Sequence, residues 1–197
     1  MCALPYTPRL SEYSPTRMRN PNNPYWYSNM NLYYSNGFGL PNCTCYAYGR
    51  WIEIMGGTVP TSDLGGGNGK DWFPNTNPNG IYPKISASDP NCAPSLGAIM
   101  CFAGGRRGLG HVAVVEQIDA DGTVWTSNSA YQNQSLYFYL RHGKRSNNYG
   151  HYDGYVPYRF QGFIYLPDEY SPTPSPEPTP EHAPKKPYWF YLGRWPF

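Results

Sequence analysis

Charged side chains are scarce in this chain of 197 residues: Asp, Glu, Lys and Arg make up 14% of it, and the formal net charge is +2. Proteins that bind nucleic acid usually carry clustered Lys and Arg, so the composition excludes a strong electrostatic attraction to nucleic acid. No apolar stretch approaches the length that crosses a membrane. The N-terminus lacks the apolar core of a secretory signal peptide. We therefore expect a protein made in a reducing cytoplasm, without membrane insertion, that reaches any outside target by another route.

Cysteine is also sparse and irregularly spaced. The odd number leaves at least one thiol outside any intramolecular disulfide. No two cysteines have the Cys-x-x-Cys spacing of a structural zinc site, so we predict neither a metal nor another cofactor. The five thiols are Cys2, Cys43, Cys45, Cys92 and Cys101.

Tyrosine, glycine, proline and tryptophan are abundant, with 20, 21, 22 and 6 copies. Gly and Pro divide a chain into short strands and turns. Tyr and Trp each offer a flat apolar face and a polar tip, which suits the wide, partly hydrated grooves that hold sugar or peptide polymers. The composition fits equally well a loop-rich β protein that covers its surface with Tyr, and both interpretations stay open.

One helix is clearly marked, at residues 43–55. Asn42 stands where an N-cap belongs, because its side chain can accept a hydrogen bond from the first unpaired N–H groups. The pair Gly56-Gly57 is a typical stop signal. An apolar stripe runs along one face of this helix: Cys43, Ala47, Trp51 and Ile54.

The following region alternates apolar runs with turn residues, which predicts an antiparallel sheet of turn-linked strands. The predicted strands are 98–102, 111–118, 123–131, 135–141 and 162–167. Residues 56–92 are rich in Gly, Pro, Asn and Asp, and predict loops around a short segment near Lys70–Phe73. Residues 1–41 show no sustained period and predict an irregular stretch that packs on the domain through Tyr25, Trp26, Tyr33 and Tyr34.

Cys43 is the candidate nucleophile, because it opens the predicted helix. Unpaired N–H groups and the helix dipole at that end favour a thiolate. Cys45 is the competing thiol, but two residues along a helix are turned by about 200°, so only one of the two can face the sheet. Because Cys43 belongs to the apolar stripe, we assign the reactive thiol to Cys43 and a packing role to Cys45. The alternative is that both are buried, inert cysteines.

His111 is the candidate base, at the start of a strand. Alternation places His111, Ala113 and Val115 on one face, which we predict to be the face that receives the helix. Asn128, on the next strand, is placed to hold the imidazole in one tautomer. Glu116 is a weaker candidate for that role, since it points to the other face. The remaining histidines are predicted to be surface residues: His142, His151 and His182.

These residues lie in five motifs whose order resembles the CHAP family, the cysteine, histidine-dependent amidohydrolase/peptidases. The motifs are PNCTCYAYGR, GNGKDW, PSLGAIMCF with GHVAVVE, VWTSNSAY and FQGFIYLP. The resemblance implies a papain-like α+β fold, in which an N-terminal helix carrying Cys packs on an antiparallel sheet carrying His. It also implies hydrolysis of peptide or amide bonds in bacterial peptidoglycan.

The resemblance implies a catalytic set of Cys43, His111 and Asn128. We expect aromatic residues of the groove to bind substrate, namely Tyr46, Trp72 and Tyr131. Some members of the family hold calcium on acidic residues just before the Cys. Here that stretch reads NLYYSNGFGLPN, without Asp or Glu, so no calcium is expected there.

The resemblance also divides the chain. We expect an N-terminal arm (1–19), a CHAP catalytic domain (20–167), a Pro-rich linker (168–187) and an aromatic C-terminal tail (188–197). The alternation of Pro with Ser, Thr and Glu in the linker predicts an extended polyproline-type conformation.

Three alternatives remain open at this stage. The same thioester chemistry could serve a transglutaminase or amide synthase, and the domain could be a non-catalytic wall-binding or phage structural module. The hydrolase could be an endopeptidase or an N-acetylmuramoyl-L-alanine amidase. Without a signal peptide, we expect a phage protein, either an endolysin that acts on the wall after holin-type release or an enzyme carried by the virion. Unless it is part of a virion, we expect it to be a monomer.

Overall fold

Helices precede the sheet along the chain in the computed structural model, which describes residues 6–10, 19–105, 107–131, 135–142 and 158–172. The α-helices of these residues are α1 (Pro24–Tyr27), α2 (Leu32–Ser35), α3 (Cys43–Ile54) and α4 (Gly69–Asn75). A short 3-10 helix at Asp168–Tyr170 follows the last strand. None of the helices in the described ranges has the length and apolar character that a membrane crossing requires.

Asparagine side chains begin the first three helices. Asn42 Oδ1 accepts a hydrogen bond from the N–H of Thr44 at 2.9 Å, and the predicted helix at 43–55 is confirmed, with its end one residue earlier. Asn23 and Asn31 cap α1 and α2 in the same way. The prediction of an irregular stretch is therefore wrong at α1 and α2, because a helix of one turn is too short to show a period of 3.6 residues.

The strands form an antiparallel sheet, as predicted. They are β1 (Lys84–Ser86), β2 (Ile99–Gly104), β3 (His111–Ile118), β4 (Val124–Ala130), β5 (Ser135–His142) and β6 (Tyr158–Ile164). Their order across the sheet is β1-β6-β2-β3-β4-β5. β1 falls in the stretch predicted as loops, because three residues among Gly and Pro carry no period. β6 begins earlier than predicted, since its pairing with β2 extends back to Tyr158.

The two faces of the sheet bury different clusters. Val112 and Val114 of β3 face the helices, whereas Ala113 and Val115 face a second core. The helix-side core contains Trp51 of α3, which is fully buried and donates from Nε1 to the carbonyl of Gly97 at 2.7 Å. Removing a large side chain from such a core costs about 2–5 kcal/mol, so α3 is firmly held against the sheet.

The sheet curls around its second core. The ring of Phe102 on β2 lies 6.1 Å from the ring of His142 on β5, although β3 and β4 separate those strands. Likewise, the ring of Tyr158 on β6 lies 6.2 Å from that of His111 on β3, with β2 between them. The face opposite the helices is therefore concave, and side chains from distant strands meet there.

A buried ion pair joins α3 to β3 behind the site. Arg50 donates from Nε to Glu116 Oε1 and from Nη2 to Glu116 Oε2, both at 2.9 Å. Residues 6–10 lie against this pair, because Tyr6 OH donates to Glu116 Oε2 at 2.7 Å. The N-terminal arm thus contacts the domain at this segment. The rest of the predicted arm, apart from Arg19, lies outside the described residues.

The C-terminal segments are described only at their start. Residues 168–172 begin the predicted linker, where the 3-10 helix at Asp168–Tyr170 replaces the expected extended conformation. Residues 173–197, with the remainder of the linker and the aromatic tail, lie outside the described residues, as do His151 and His182.

Candidate active site

Helix α3 presents Cys43 at its first turn. Cys43 is partly exposed, whereas Cys45 is buried without accessible surface. The backbone N–H of Asn42 donates to Ser129 Oγ on β4 at 3.1 Å, which ties the start of the helix to the sheet. The packing role predicted for Cys45 agrees with this burial, and Cys43 is the thiol of the pair that a substrate can reach.

The imidazole of His111 is joined to the side chain of Asn128. His111 Nε2 lies 2.9 Å from Asn128 Oδ1, and both residues are buried, with 6% and 0% of their surface exposed. An amide oxygen only accepts, so Nε2 carries the hydrogen and Nδ1 of a neutral ring is left as a proton acceptor. The sequence pattern predicted this partnership, and the two side chains do meet.

The start of α3 occupies a gap between two strands. The β3–β4 pairing begins at Val114 and Ser127, and in that register Val112 would next face Ser129. Instead, the backbone of Val112 acts on the Cys43 thiol and lowers its pKa, and Ser129 Oγ accepts from the N–H of Asn42. The thiol is thereby held beside the residue that follows His111.

This arrangement corrects the predicted face of His111. The helices pack on the face of Val112 and Val114, and His111 shares the opposite face with Ala113 and Val115. The thiol therefore lies beside Val112, the residue after His111, at the end of the sheet and not across the face that carries the imidazole. Strand alternation alone could not predict this, because it does not reveal where the pairing of β3 with β4 stops.

Burial keeps the Cys43 thiol and the His111 imidazole neutral. It raises the pKa of the Cys43 thiol, and the N–H groups of Val112, Thr44 and Cys43 itself offset part of that rise. Burial also lowers the pKa of His111 to about 4, while the hydrogen bond with Asn128 acts in the opposite direction. At neutral pH Cys43 is therefore a thiol and the His111 imidazole is neutral, the form in which a histidine can accept a proton.

The turn before His111 is supported by the GNGKDW motif. The N–H of Lys70 donates to the carbonyl of Leu109 at 3.0 Å. A Cβ at Gly69 would come within 2.7 Å of His111 Cα, and one at Gly110 within 2.3 Å of the Phe102 carbonyl oxygen. Gly110 also has φ +70°, which side chains rarely tolerate. These two glycines let the chain pack closely around His111. In the sequence, only their place in the GNGKDW and GHVAVVE motifs pointed to this role.

Two predicted substrate-binding residues are core residues. Trp72 has 0% of its surface exposed and stacks on Tyr33 with ring centroids 5.7 Å apart. Tyr46 is 1% exposed and stacks on Trp26 at 5.9 Å. The prediction is wrong for both, since a fully buried ring cannot contact a polymer. Tyr131, which follows β4, is 57% exposed and stays a prediction.

Two other expectations concern polar residues. Both Glu116 oxygens accept from Arg50 on the helix side, so Glu116 does not orient His111. His142 was predicted to lie at the surface, but it is buried, and its Nε2 lies 2.9 Å from Thr126 Oγ1. The sequence did not predict this burial, because polar residues follow His142 directly although it ends a core strand.

Within the described ranges, no group of three or more His, Cys, Asp or Glu could hold a metal ion.

The two buried histidines make stability depend on pH. Burial lowers the pKa of His111 and of His142 to about 4, below the value of about 6.5 in an unfolded chain. The unfolded state therefore binds protons more readily, so this stability is present above about pH 6.5 and is lost as the pH falls toward 4. We expect the free energy of unfolding to drop by about 2 kcal/mol per histidine between pH 7.5 and pH 5.

Urea unfolding at the two pH values measures this dependence. His111→Gln retains a hydrogen-bonding side chain but does not titrate, so the variant should lose about half of the pH-dependent change. An equal change in wild type and variant would show that His111 does not titrate with a lowered pKa.

A helix that carries a cysteine at its start and an antiparallel sheet that carries a histidine define a papain-like α+β fold, the class of cysteine hydrolases. The family profile of the CHAP domain matches residues 33–130, and the chain contains a CHAP domain. No curated protein sequence matches the chain.

Among solved structures, the chain is similar to the crystal structure of an N-acetylmuramoyl-L-alanine amidase from Staphylococcus aureus, with 20% sequence identity and a TM-score of 0.42. That match covers 62% of this chain and 31% of the amidase chain, so the chain corresponds to less than a third of that protein.

Proposed function

We propose that this protein is a peptidoglycan hydrolase in which Cys43 is the nucleophile, His111 the general base and acid, and Asn128 the residue that orients His111. The observation that carries the proposal is the contact of His111 Nε2 with Asn128 Oδ1 at 2.9 Å. It assigns the ring hydrogen to Nε2, so Nδ1 of the neutral ring is the nitrogen that can accept a proton, and in this proposal Nδ1 faces the Cys43 thiol. The CHAP domain supports peptidoglycan as the substrate class.

The chemistry follows from a neutral thiol and a neutral imidazole. His111 Nδ1 takes the thiol proton as the sulfur of Cys43 attacks an amide carbonyl, and a carbon–sulfur bond forms. When the tetrahedral intermediate collapses, the carbon–nitrogen bond breaks and His111 returns the proton to the leaving amine. Water, deprotonated by the same ring, then cleaves the thioester and releases the acid.

The start of α3 supplies the oxyanion contact in this proposal. The N–H groups of Thr44 and Cys45 donate to Asn42 Oδ1, so they serve the helix cap. The N–H of Cys43 lies next to its own sulfur and acts on its pKa. A carbonyl attacked by that sulfur would therefore place its oxygen near the same N–H, aided by the positive end of the helix dipole.

Exposed apolar side chains within five residues of Cys43, His111 and Asn128 in sequence are assigned to the substrate groove. Phe38 precedes α3 and is 61% exposed, Leu109 precedes His111 and is 36% exposed, and Tyr131 follows β4. Rings of this kind can cover the sugar and peptide parts of a wall fragment. The enzyme is proposed to be endolysin-like, either released in the host or carried by a virion, and to cleave as an amidase or an endopeptidase.

Mass spectrometry of fragments released from purified Gram-positive peptidoglycan tests the proposal, with Cys43→Ala as the inactive control. New N-termini within the peptides would identify an endopeptidase, and free stem peptides with bare glycan an amidase. No release from walls of several chemotypes, or the same fragments from wild type and Cys43→Ala, would overturn the proposal in favour of a wall-binding module.

A further inference from the structure

The buried hydrogen bonds of the site continue beyond Asn128. Asn128 Nδ2 donates to the backbone carbonyl of Thr126 at 3.1 Å and to Thr126 Oγ1 at 3.0 Å. Thr126 Oγ1 in turn lies 2.9 Å from His142 Nε2. His111, Asn128, Thr126 and His142 thus form one hydrogen-bonded chain, in which no residue is more than 6% exposed.

We propose that Thr126 and His142 are positioning residues, which fix the direction of the Asn128 carboxamide and, through it, the tautomer of His111. Their role in catalysis rests on the proposed function. Their effect on the tautomer of His111 does not, because that tautomer can be measured in the folded protein without substrate. Neither residue contacts the reacting atoms, so each acts through Asn128.

The Thr126 carbonyl and hydroxyl together favour one direction of the amide. A carbonyl oxygen only accepts hydrogen bonds, so it favours the orientation in which the Asn128 nitrogen faces Thr126 and the Asn128 oxygen faces His111. If the amide were reversed, two acceptor oxygens would oppose each other, and the amide nitrogen would require His111 to carry its hydrogen on Nδ1. A ring in that tautomer could not take the thiol proton.

The Thr126 hydroxyl adds a second anchor, whose direction depends on His142. In this proposal the hydroxyl oxygen accepts from Asn128 Nδ2 and turns its own hydrogen toward His142 Nε2. That nitrogen accepts only when it is unprotonated. Burial, and secondarily the nearby His111, lower the pKa of His142 to about 4, which keeps this acceptor available at neutral pH.

Packing holds the His142 ring in place. The ring stacks on Phe102, with centroids 6.1 Å apart and planes inclined by 25°. Phe102 is itself the strand partner of His111 in the β2–β3 ladder. His142 and His111 are therefore linked twice. One link is the hydrogen-bonded chain, and the other is Phe102, whose ring stacks on His142 and whose backbone pairs with His111.

The test compares variants that remove or keep each hydrogen bond at nearly constant shape. Thr126→Val removes the hydroxyl and Thr126→Ser keeps it, while His142→Phe removes the acceptor but retains a ring on Phe102. The tautomer of His111 is read from the ring ¹⁵N chemical shifts of the labelled protein without substrate. The values of kcat and KM are measured for peptide release from peptidoglycan.

We expect wild-type His111 to carry its hydrogen on Nε2, and Thr126→Val and His142→Phe to show a mixture of tautomers. For Thr126→Val, kcat should fall between about 10- and 100-fold with KM nearly unchanged, because a misplaced reacting group costs about this much. For His142→Phe, kcat should also fall, by a smaller factor, with KM nearly unchanged. Thr126→Ser should restore both the tautomer and most of kcat.

An unchanged tautomer and kcat in Thr126→Val and His142→Phe would overturn the inference. A loss in Thr126→Ser as large as that in Thr126→Val would also overturn it, since packing and not the hydroxyl would then matter. If wild type releases nothing from peptidoglycan, the proposed function fails, but the ring ¹⁵N shifts still decide whether Thr126 and His142 set the tautomer. Should one variant fail to fold, the other gives the same comparison.

Discussion

Replacing Cys43 with Ala should lower the rate of peptide release by roughly 10⁴-fold or more, as expected when a covalent nucleophile is lost. Replacing Cys45 with Ala should leave the rate within about threefold of wild type. The two thiols are two residues apart, but only the sulfur of Cys43 lies beside Val112 and the His111 strand. The comparison therefore separates the reactive thiol from its neighbour in one experiment.

The environment of Cys45 explains its expected inertness. Cys45 has no exposed surface, and burial, followed by the neighbouring Cys43, raises its pKa to about 12. At neutral pH both cysteines are thiols, but Cys45 has no surface that a substrate could reach, whereas Cys43 is partly exposed. Ala is the suitable replacement, because the hydroxyl of a Ser would be buried at this position and would need a partner.

Two measurements check this assignment. Rates of fragment release give the catalytic loss, and site-resolved mass spectrometry after brief treatment with iodoacetamide should find a faster reaction at Cys43 than at Cys45. Circular dichroism controls for folding of each variant. A folded Cys45→Ala variant without activity, together with an active Cys43→Ala variant, would reverse the assignment.

The parts of the fold that the sequence predicts correctly are those whose signals are local. Asn42 and the Gly56-Gly57 pair mark both ends of α3, because capping depends on neighbours along the chain. The apolar run that starts at His111 marks β3, since alternation repeats over several residues. The short elements α1, α2 and β1 carry too few residues for any period to be visible.

The sequence predicts the contact between two polar residues of the candidate site, but not how the site is arranged. Strand neighbourhood correctly suggested that His111 and Asn128 meet. The face that receives α3 was predicted wrongly, because the gap beyond Val114 depends on tertiary pairing. Trp72 and Tyr46 show a related limit: an aromatic side chain that could line a groove can equally fill a core, and only three-dimensional packing decides between them.

The Arg50–Glu116 pair leads to the largest expected loss of stability. Glu116 is fully buried, and its two oxygens accept from four residues: Arg50, Ser127 through Oγ, Tyr6 through its hydroxyl and Arg9 through its backbone N–H. Glu116→Gln replaces one oxygen with an amide nitrogen that can only donate, so donors would face donors while the Arg50 charge loses its fully buried partner. Breaking a buried pair in this way costs about 3–5 kcal/mol.

Urea unfolding of Glu116→Gln beside Glu53→Gln measures this loss. Glu53 also binds Arg50, at 2.6 Å, but its side chain is 15% exposed against 0% for Glu116, so its removal should cost only about 1 kcal/mol. Residues 6–10 contact Glu116 through Tyr6 and Arg9, and they should become more sensitive to proteolysis in Glu116→Gln. Equal losses in the two variants would mean that burial of the pair adds nothing. An unaltered proteolysis pattern would mean that residues 6–10 are held by other contacts, such as Arg9 with Glu53.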